Sequence, residues 1–232
     1  MSDRVVVVTG GGRGIGRAVC VRFGSGGAEV VAASRSTEEL AETCRLVEAA
    51  GGRCHACRTD VADPSQIDAL IDETADRFGT VHVLVNAAGV APCEGILDLD
   101  PEVFESMQAV NVGAIYHLTR RVWPLMAAQK SGVIISISSV ASLDPFPGLA
   151  AYGASKAWVN AWTRGLAEEG RSLGIGVFAV APGAVETKML RDAFPDFPAD
   201  QTMTPEEVAE TVFSLAEAKS RFASGQTVFV RK

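Results

Sequence analysis

The sequence predicts an α/β protein, a single domain spanning residues 1–232 and built as a doubly wound parallel sheet with helices on both faces. Two features predict it. Apolar strand-like runs alternate with helix-like stretches along the whole chain, and the first strand is followed directly by a glycine-rich turn and a helix.

Composition narrows the possible functions. A chain of 232 residues with 47% apolar and 21% charged residues suits one sizeable core in an ordinary soluble globular protein. No apolar run approaches the roughly 18 residues expected of a membrane span. Met1-Ser2-Asp3-Arg4 leads straight into Val5, so no secretory leader is expected and the cytoplasm is the predicted location. With 21 basic against 28 acidic residues and a net charge of −7, nucleic acid is not expected as a partner. Five cysteines, an odd number, predict no disulfide framework. Cys54-His55-Ala56-Cys57 resembles half of a zinc site, but no second pair with ligand spacing follows. The segment alternates like a strand, so a structural reading is preferred and no metal is expected.

Val5–Val8 is a continuous β-branched run, as expected of a strand buried on both faces. Thr9-Gly10-Gly11-Gly12-Arg13-Gly14-Ile15-Gly16 follows, then a helix from Arg17 to Phe23. Glycines in this context let backbone approach a pyrophosphate, which the helix N-terminus attracts with unpaired N–H groups. The second strand, Glu29–Ser34, ends in Ser34-Arg35 where NAD-preferring folds carry a ribose-binding carboxylate. Arg35 there, with Arg13 in the turn, predicts NADP(H) over NAD(H), because guanidinium suits a 2′-phosphate.

A helix from Thr37 to Ala50 and a strand from Arg53 to Arg58 complete the first half, and Asp60 and Val61 leave that strand near the expected adenine site. Asp63-Pro64 opens the next helix with a capping residue and a first-turn proline, and that helix runs to Phe78-Gly79. Val81–Val85 is a fourth strand ending in Asn86-Ala87-Ala88-Gly89, small residues at the edge where an open sheet admits ligand. A helix near Pro101 is followed by a longer one over 107–129 that contains Asn111, a residue usually solvated in such a position. Strand Gly132–Ile137 runs into Ser138-Ser139. Near the start of the following helix, which continues to about Leu173, Tyr152 and Lys156 stand four positions apart. They share a face there, and a cation beside a phenol favours phenolate, so the pair is a plausible acid/base device. Any helix can carry Tyr and Lys at this spacing, so the pair alone is not decisive. Trp158 and Trp162 in the same helix read as buried packing. Strand Gly176–Ala181 ends in Pro182-Gly183-Ala184-Val185-Glu186-Thr187, residues 188–204 read as an irregular flap, and Thr204-Pro205 opens a last helix before strand Thr227–Val230.

Taken together, Thr9-Gly10-x-x-x-Gly14-x-Gly16, Asp60-Val61, Asn86-Ala87-Ala88-Gly89, Asn111, Ser139, Tyr152-x-x-x-Lys156 and Pro182-Gly183 resemble the short-chain dehydrogenase/reductase family over nearly the whole chain. The nearest subgroup by resemblance is the 3-oxoacyl-acyl carrier protein reductases. The resemblance implies a Rossmann-like seven-stranded parallel sheet in the order 3-2-1-4-5-6-7 and an NADP(H)-dependent oxidoreductase, with NAD(H) possible. It implies that Tyr152 gives the proton in carbonyl reduction, Ser139 bonds the substrate oxygen, Lys156 lowers the phenol's pKa and binds the nicotinamide ribose, and Asn111 holds a relay water. Asn86–Gly89 would lie near adenosine, and Pro182, Gly183, Val185 and Thr187 would line the nicotinamide end. The implied substrate is a small carbonyl or alcohol compound or an acyl thioester, and the implied assembly is a homodimer or homotetramer. A sugar, polyol or steroid alcohol dehydrogenase and a non-catalytic cofactor-sensing protein are the alternatives.

Overall fold

The computed structural model describes residues 4–217 and 223–232, so Met1-Ser2-Asp3, where a leader was weighed, lies outside the described residues. Seven strands form one all-parallel sheet: β1 (Val5–Thr9), β2 (Glu29–Ser34), β3 (Arg53–Arg58), β4 (Val83–Asn86), β5 (Gly132–Ile137), β6 (Ile175–Pro182) and β7 (Thr227–Val230). Their order is β3-β2-β1-β4-β5-β6-β7, the predicted one. The order reverses between β1 and β4, where a ligand crevice opens at the strands' carboxyl ends.

The valine run of β1 is buried on both faces because helices cover both. Val6 and Val8 pack with Phe23 of α1 (Gly14–Ser25) and Val208 and Val212 of α8 (Pro205–Glu217). Val5 and Val7 pack with Ile67 and Ile71 of α3 (Pro64–Phe78) and Leu118 of α5 (Ala114–Ala128). Burying each such side chain contributes about 1.5–3 kcal/mol, which favours a strand here over an exposed loop. Capping holds the helices in register. Asp63 accepts from the Ser65 N–H, and Thr204 and Glu207 satisfy each other's backbone N–H groups in a capping box at α8.

The structure corrects several expectations. The pattern predicts one helix over 107–129; the chain forms α4 (Pro101–Gln108), a π-helical turn over Ala109–Gly113, and then α5. Asn111 sits in that turn fully buried, not solvated, because its side chain bridges to neighbouring elements. The fourth strand begins at Val83, since His82 turns its ring to accept the Val5 N–H at Nδ1. Helix α6 runs Ala150–Gly170 and passes into a 3-10 turn at Arg171–Leu173, which places Tyr152 within its first turn. Residues 188–204 are not irregular throughout: they contain α7 (Lys188–Ala193), capped by Thr187, and a 3-10 turn at Ala199–Gln201. Trp158 and Trp162 stack with centroids 5.0 Å apart but are only half-buried.

One cysteine pair is bonded, contrary to the absence of disulfides expected from the odd count. Helix α2 (Thr37–Ala49) packs on β3 and brings Cys44 to Cys54, whose Cα atoms lie 5.1 Å apart. Cys54 and Cys57 therefore cannot act as one metal-binding pair. No helix of the described residues is long and apolar enough to cross a membrane.

Candidate active site

A cleft of about 1020 Å³ opens at the β1/β4 switch point. Its lining includes Gly10, Gly12, Arg13, Gly14, Ile15 and Gly16 from the glycine turn, with Ser34 and Arg35 from the end of β2. Asp60, Val61, Ala87, Ala88 and Gly89 line it further along, and Thr187 closes one side. Thr9 supports it from beneath, receiving the Ala88 N–H at 3.4 Å.

The turn requires glycine for specific reasons. Gly10 has φ +67°, and a Cβ there would lie 2.7 Å from the Ala88 backbone nitrogen. A Cβ at Gly16 would collide with the Gly10 carbonyl, and one at Gly14 would meet the Thr187 methyl at 3.3 Å. Arg13 precedes α1 in an extended conformation without a side-chain cap, and no acidic residue stands in the first turn. The first N–H groups of α1 thus face the cleft uncompensated, as an anion site requires. Deeper in, the Asn86 amide donates to Ser136 Oγ at 3.1 Å while its Oδ1 finds no donor among the described residues. The bare backbone cradle, the free helix terminus and this spare acceptor fit a bound dinucleotide.

Arg35 is exposed at the cleft edge and makes no salt bridge among the described residues; its carbonyl accepts from Arg58. Arg13 is exposed too, but its guanidinium lies 3.7 Å from Glu39. The carboxylate of Glu39 sits above Gly12, within 3.0 Å of where a Cβ would stand. The end of β2 carries no acid, as the sequence shows, yet α2 returns one to its vicinity. Asp60 is held by its own turn, accepting from Ala62 N–H at 3.0 Å, and its backbone N–H donates to Gln66.

Beyond the lined cleft, past Gly89, the catalytic candidates converge. A Cβ at Gly89 would lie 3.4 Å from Asn111 Oδ1 and 3.5 Å from Lys156 Nζ, so this glycine is the junction between cleft and chemistry. Lys156 is buried, donates to the Ile137 carbonyl at 2.8 Å and holds its ammonium 5.6 Å from the Tyr152 ring centre. Burial pulls its pKa from 10.5 down to about 8. Tyr152 is half-buried, and desolvation raises its pKa; a hydrogen bond from Ser139 pulls the other way. Burial, not the neighbouring Lys156, sets the direction of the phenol's shift. One of the three lysine N–H groups donates to a carbonyl, and burial dominates the phenol.

Asn111 donates from Nδ2 to Val90 O at 2.9 Å and Ser155 Oγ at 3.1 Å, and accepts the Val90 N–H at Oδ1. Both amide protons are committed, so its side chain can hold a relay water only as an acceptor. Pro182 ends β6 opposite Val230, the following Gly183 N–H donates to the Val230 carbonyl, and Val185 is buried beside Met203. Thr187 lies over Gly14.

Sequence reasoning missed the residues that brace this group. Ser138 Oγ donates to the Lys156 carbonyl, and Ser155 Oγ donates to the Tyr152 carbonyl. Asn160 donates to Ser142, which donates to the Ser139 carbonyl. Gly153 packs so closely on the Ser139 turn that a Cβ would lie 2.5 Å from the Ala141 carbonyl. Ser138 and Ser155, each adjoining a candidate catalytic residue, were the only visible signals.

The sequence pattern described as short chain dehydrogenase matches residues 4–197. The chain belongs to the short-chain dehydrogenase family. The dehydrogenase is 37% identical to 3beta-hydroxysteroid dehydrogenase 1 of Eggerthella lenta, over 99% of this chain and 93% of that protein. It is 36% identical to the 3-oxoacyl-[acyl-carrier-protein] reductase of a Synechocystis species, over 98% and 95% respectively. A Beutenbergia cavernae protein provisionally assigned as an NAD(P)-dependent gluconate 5-dehydrogenase, solved with NADP bound at low occupancy, superposes with a TM-score of 0.92. It shares 32% identity, over 100% of this chain and 96% of that one. The dehydrogenase is thus an NAD(P)-dependent short-chain oxidoreductase acting on a small molecule.

The far side of the site carries the flap. Arg191 of α7 forms a two-pronged pair with Glu186 and donates to the carbonyls of Pro195 and Phe197. Phe194 meets Phe146 edge-on, at 5.9 Å between ring centres. Ile96, Leu97, Leu143, Phe146 and Met189 are exposed on the dehydrogenase's surface.

Proposed function

We propose that this chain, acting as one domain, reduces a ketone or 3-oxoacyl carbonyl to a secondary alcohol with NADPH. One observation carries the reading: Ser139, Tyr152, Lys156 and Asn111 converge where Gly89 ends the dinucleotide cleft. The dinucleotide, when bound, supplies the hydride. Thr9, the glycine turn, Ser34, Arg35, Asp60, Val61 and Asn86–Gly89 would hold its adenosine and phosphates. Lys156, Pro182, Gly183, Val185 and Thr187 would hold the rest. Ser139 fixes the substrate oxygen with a hydrogen bond, Tyr152 delivers a proton to it, and Lys156 supplies positive charge as that proton leaves the phenol. Asn111 and Ser155 keep the helix start in place.

The exposed apolar side chains favour an apolar carbonyl compound over a sugar or polyol. A steroid alcohol remains the second reading, supported by the same apolar surface and by the Eggerthella relative's name. Both cations of α7 are ion-paired, Lys188 with Asp192 and Arg191 with Glu186, so this flap offers little free charge to an acidic carrier protein. A non-catalytic sensor would have no use for the bracing around Ser139 and Tyr152.

The test is a panel of ketones, acetoacetyl thioesters and steroid alcohols assayed with NADPH and NADH. Tyr152→Phe should lower turnover by about a hundredfold or more while NADPH affinity, followed by fluorescence, stays nearly unchanged. Retained turnover in that variant, or no turnover of any carbonyl or alcohol with either cofactor, would refute the reading.

A further inference from the structure

A second cluster of reactive side chains lies away from this site, on the sheet edge formed by β3. Residues two apart on a strand share a face, so His55 and Cys57 point together toward α3 while Cys54 points the other way, to Cys44. Helix α3 carries Glu73 to meet them. His55 Nε2 lies 2.7 Å from Glu73 Oε1, and donor atoms of His55, Cys57 and Glu73 all lie within 4.8 Å of one another.

We propose that His55, Cys57 and Glu73 bind a zinc-class divalent cation through one nitrogen, one sulfur and one oxygen, with a fourth position open to water. Zinc bonds of roughly 2.0–2.3 Å place tetrahedral ligand atoms roughly 3.3–3.7 Å apart, against the 4.8 Å within which these donors lie. Entry is open, since the Glu73 side chain keeps 55% of its surface exposed and that of His55 22%, while Cys57 sits beneath them at 6%. Burial beside the Glu73 carboxylate favours the neutral thiol at Cys57. A dication would reverse that preference, taking the sulfur as thiolate with release of one proton. The bound ion would clip β3 to α3 just before the chain reaches Asp60 and Val61, so its role would be to stiffen the adenine end of the cleft.

Cobalt(II) serves as the probe, added to chelator-treated full-length protein. The expected result is one equivalent bound with a thiolate-to-cobalt charge-transfer absorption that zinc(II) abolishes. Cys57→Ser should lose the absorption, His55→Ala and Glu73→Gln should weaken binding at least tenfold, and Cys93→Ser should change nothing. Zinc should raise the thermal midpoint of the parent protein but not of His55→Ala. Because His55 and Glu73 are solvent-accessible, their variants decide the matter even if Cys57→Ser folds poorly; NADPH binding confirms that each is folded. No absorption in the parent, or an absorption that survives Cys57→Ser or His55→Ala, would overturn the proposal.

Discussion

Lys156→Met should make the protein less active and, near neutral pH, relieve a cost built into the fold. The buried ammonium has its pKa moved from 10.5 to about 8, and at about 1.4 kcal/mol per pH unit that gap corresponds to about 3 kcal/mol. The sign follows from proton binding. Below about pH 8 both folded and unfolded chains hold the proton, and the folded state bears the whole desolvation cost. Between about 8 and 10.5 the unfolded chain still binds the proton while the folded one has lost it, so the parent gains stability as pH rises. Methionine cannot titrate, and it leaves the Ile137 carbonyl without its donor, which costs about 1–3 kcal/mol at every pH. The pH-dependent difference is therefore the clean observable. Urea unfolding of both proteins at intervals from pH 7 to 10 should show the parent gaining on the variant by up to about 1.4 kcal/mol per pH unit above pH 8. Parallel curves would refute a desolvated ammonium at this position.

Three other outcomes test the site. Arg35→Ser should lower kcat/KM for NADPH about tenfold or more with little effect on NADH, measured by initial rates with both cofactors. Glu39→Gln should shift the preference the other way, towards NADPH, by up to about fivefold at low salt, since it frees Arg13 from an exposed ion pair. Gly153→Ala, whose Cβ would press on the Ala141 carbonyl, should reduce kcat about tenfold or more by separating Tyr152 from Ser139; equilibrium NADPH binding should remain.

The fold was legible because its signals are local. The valine run of β1, the Asp63-Pro64 helix start and the Thr204-Pro205 start each declare an element within a few residues, and the alternation of elements then limits the topology. The glycine turn and the Tyr152/Lys156 spacing are short patterns of the same kind. What escaped depends on distant partners. The π turn at Asn111 is stabilised by Val90 and Ser155, 21 and 44 residues away. Glu39 reaches the cleft only because α2 folds back over Gly12, and Glu73 reaches His55 only because α3 crosses β3. The burial that acts on Tyr152 is not legible either, because spacing reveals a neighbouring charge but not how much water surrounds the pair.

Arg191 ties together the segment from Glu186 to Phe197. One planar fork fastens Glu186 on the strand side and two carbonyls farther along, so the short helix and the turn behind it are tied into one plate. Met189 and Phe194 hang from that plate without fixing its shape. On the proposed reading, exchanging them would change which molecule fits while that fastening stayed as it is.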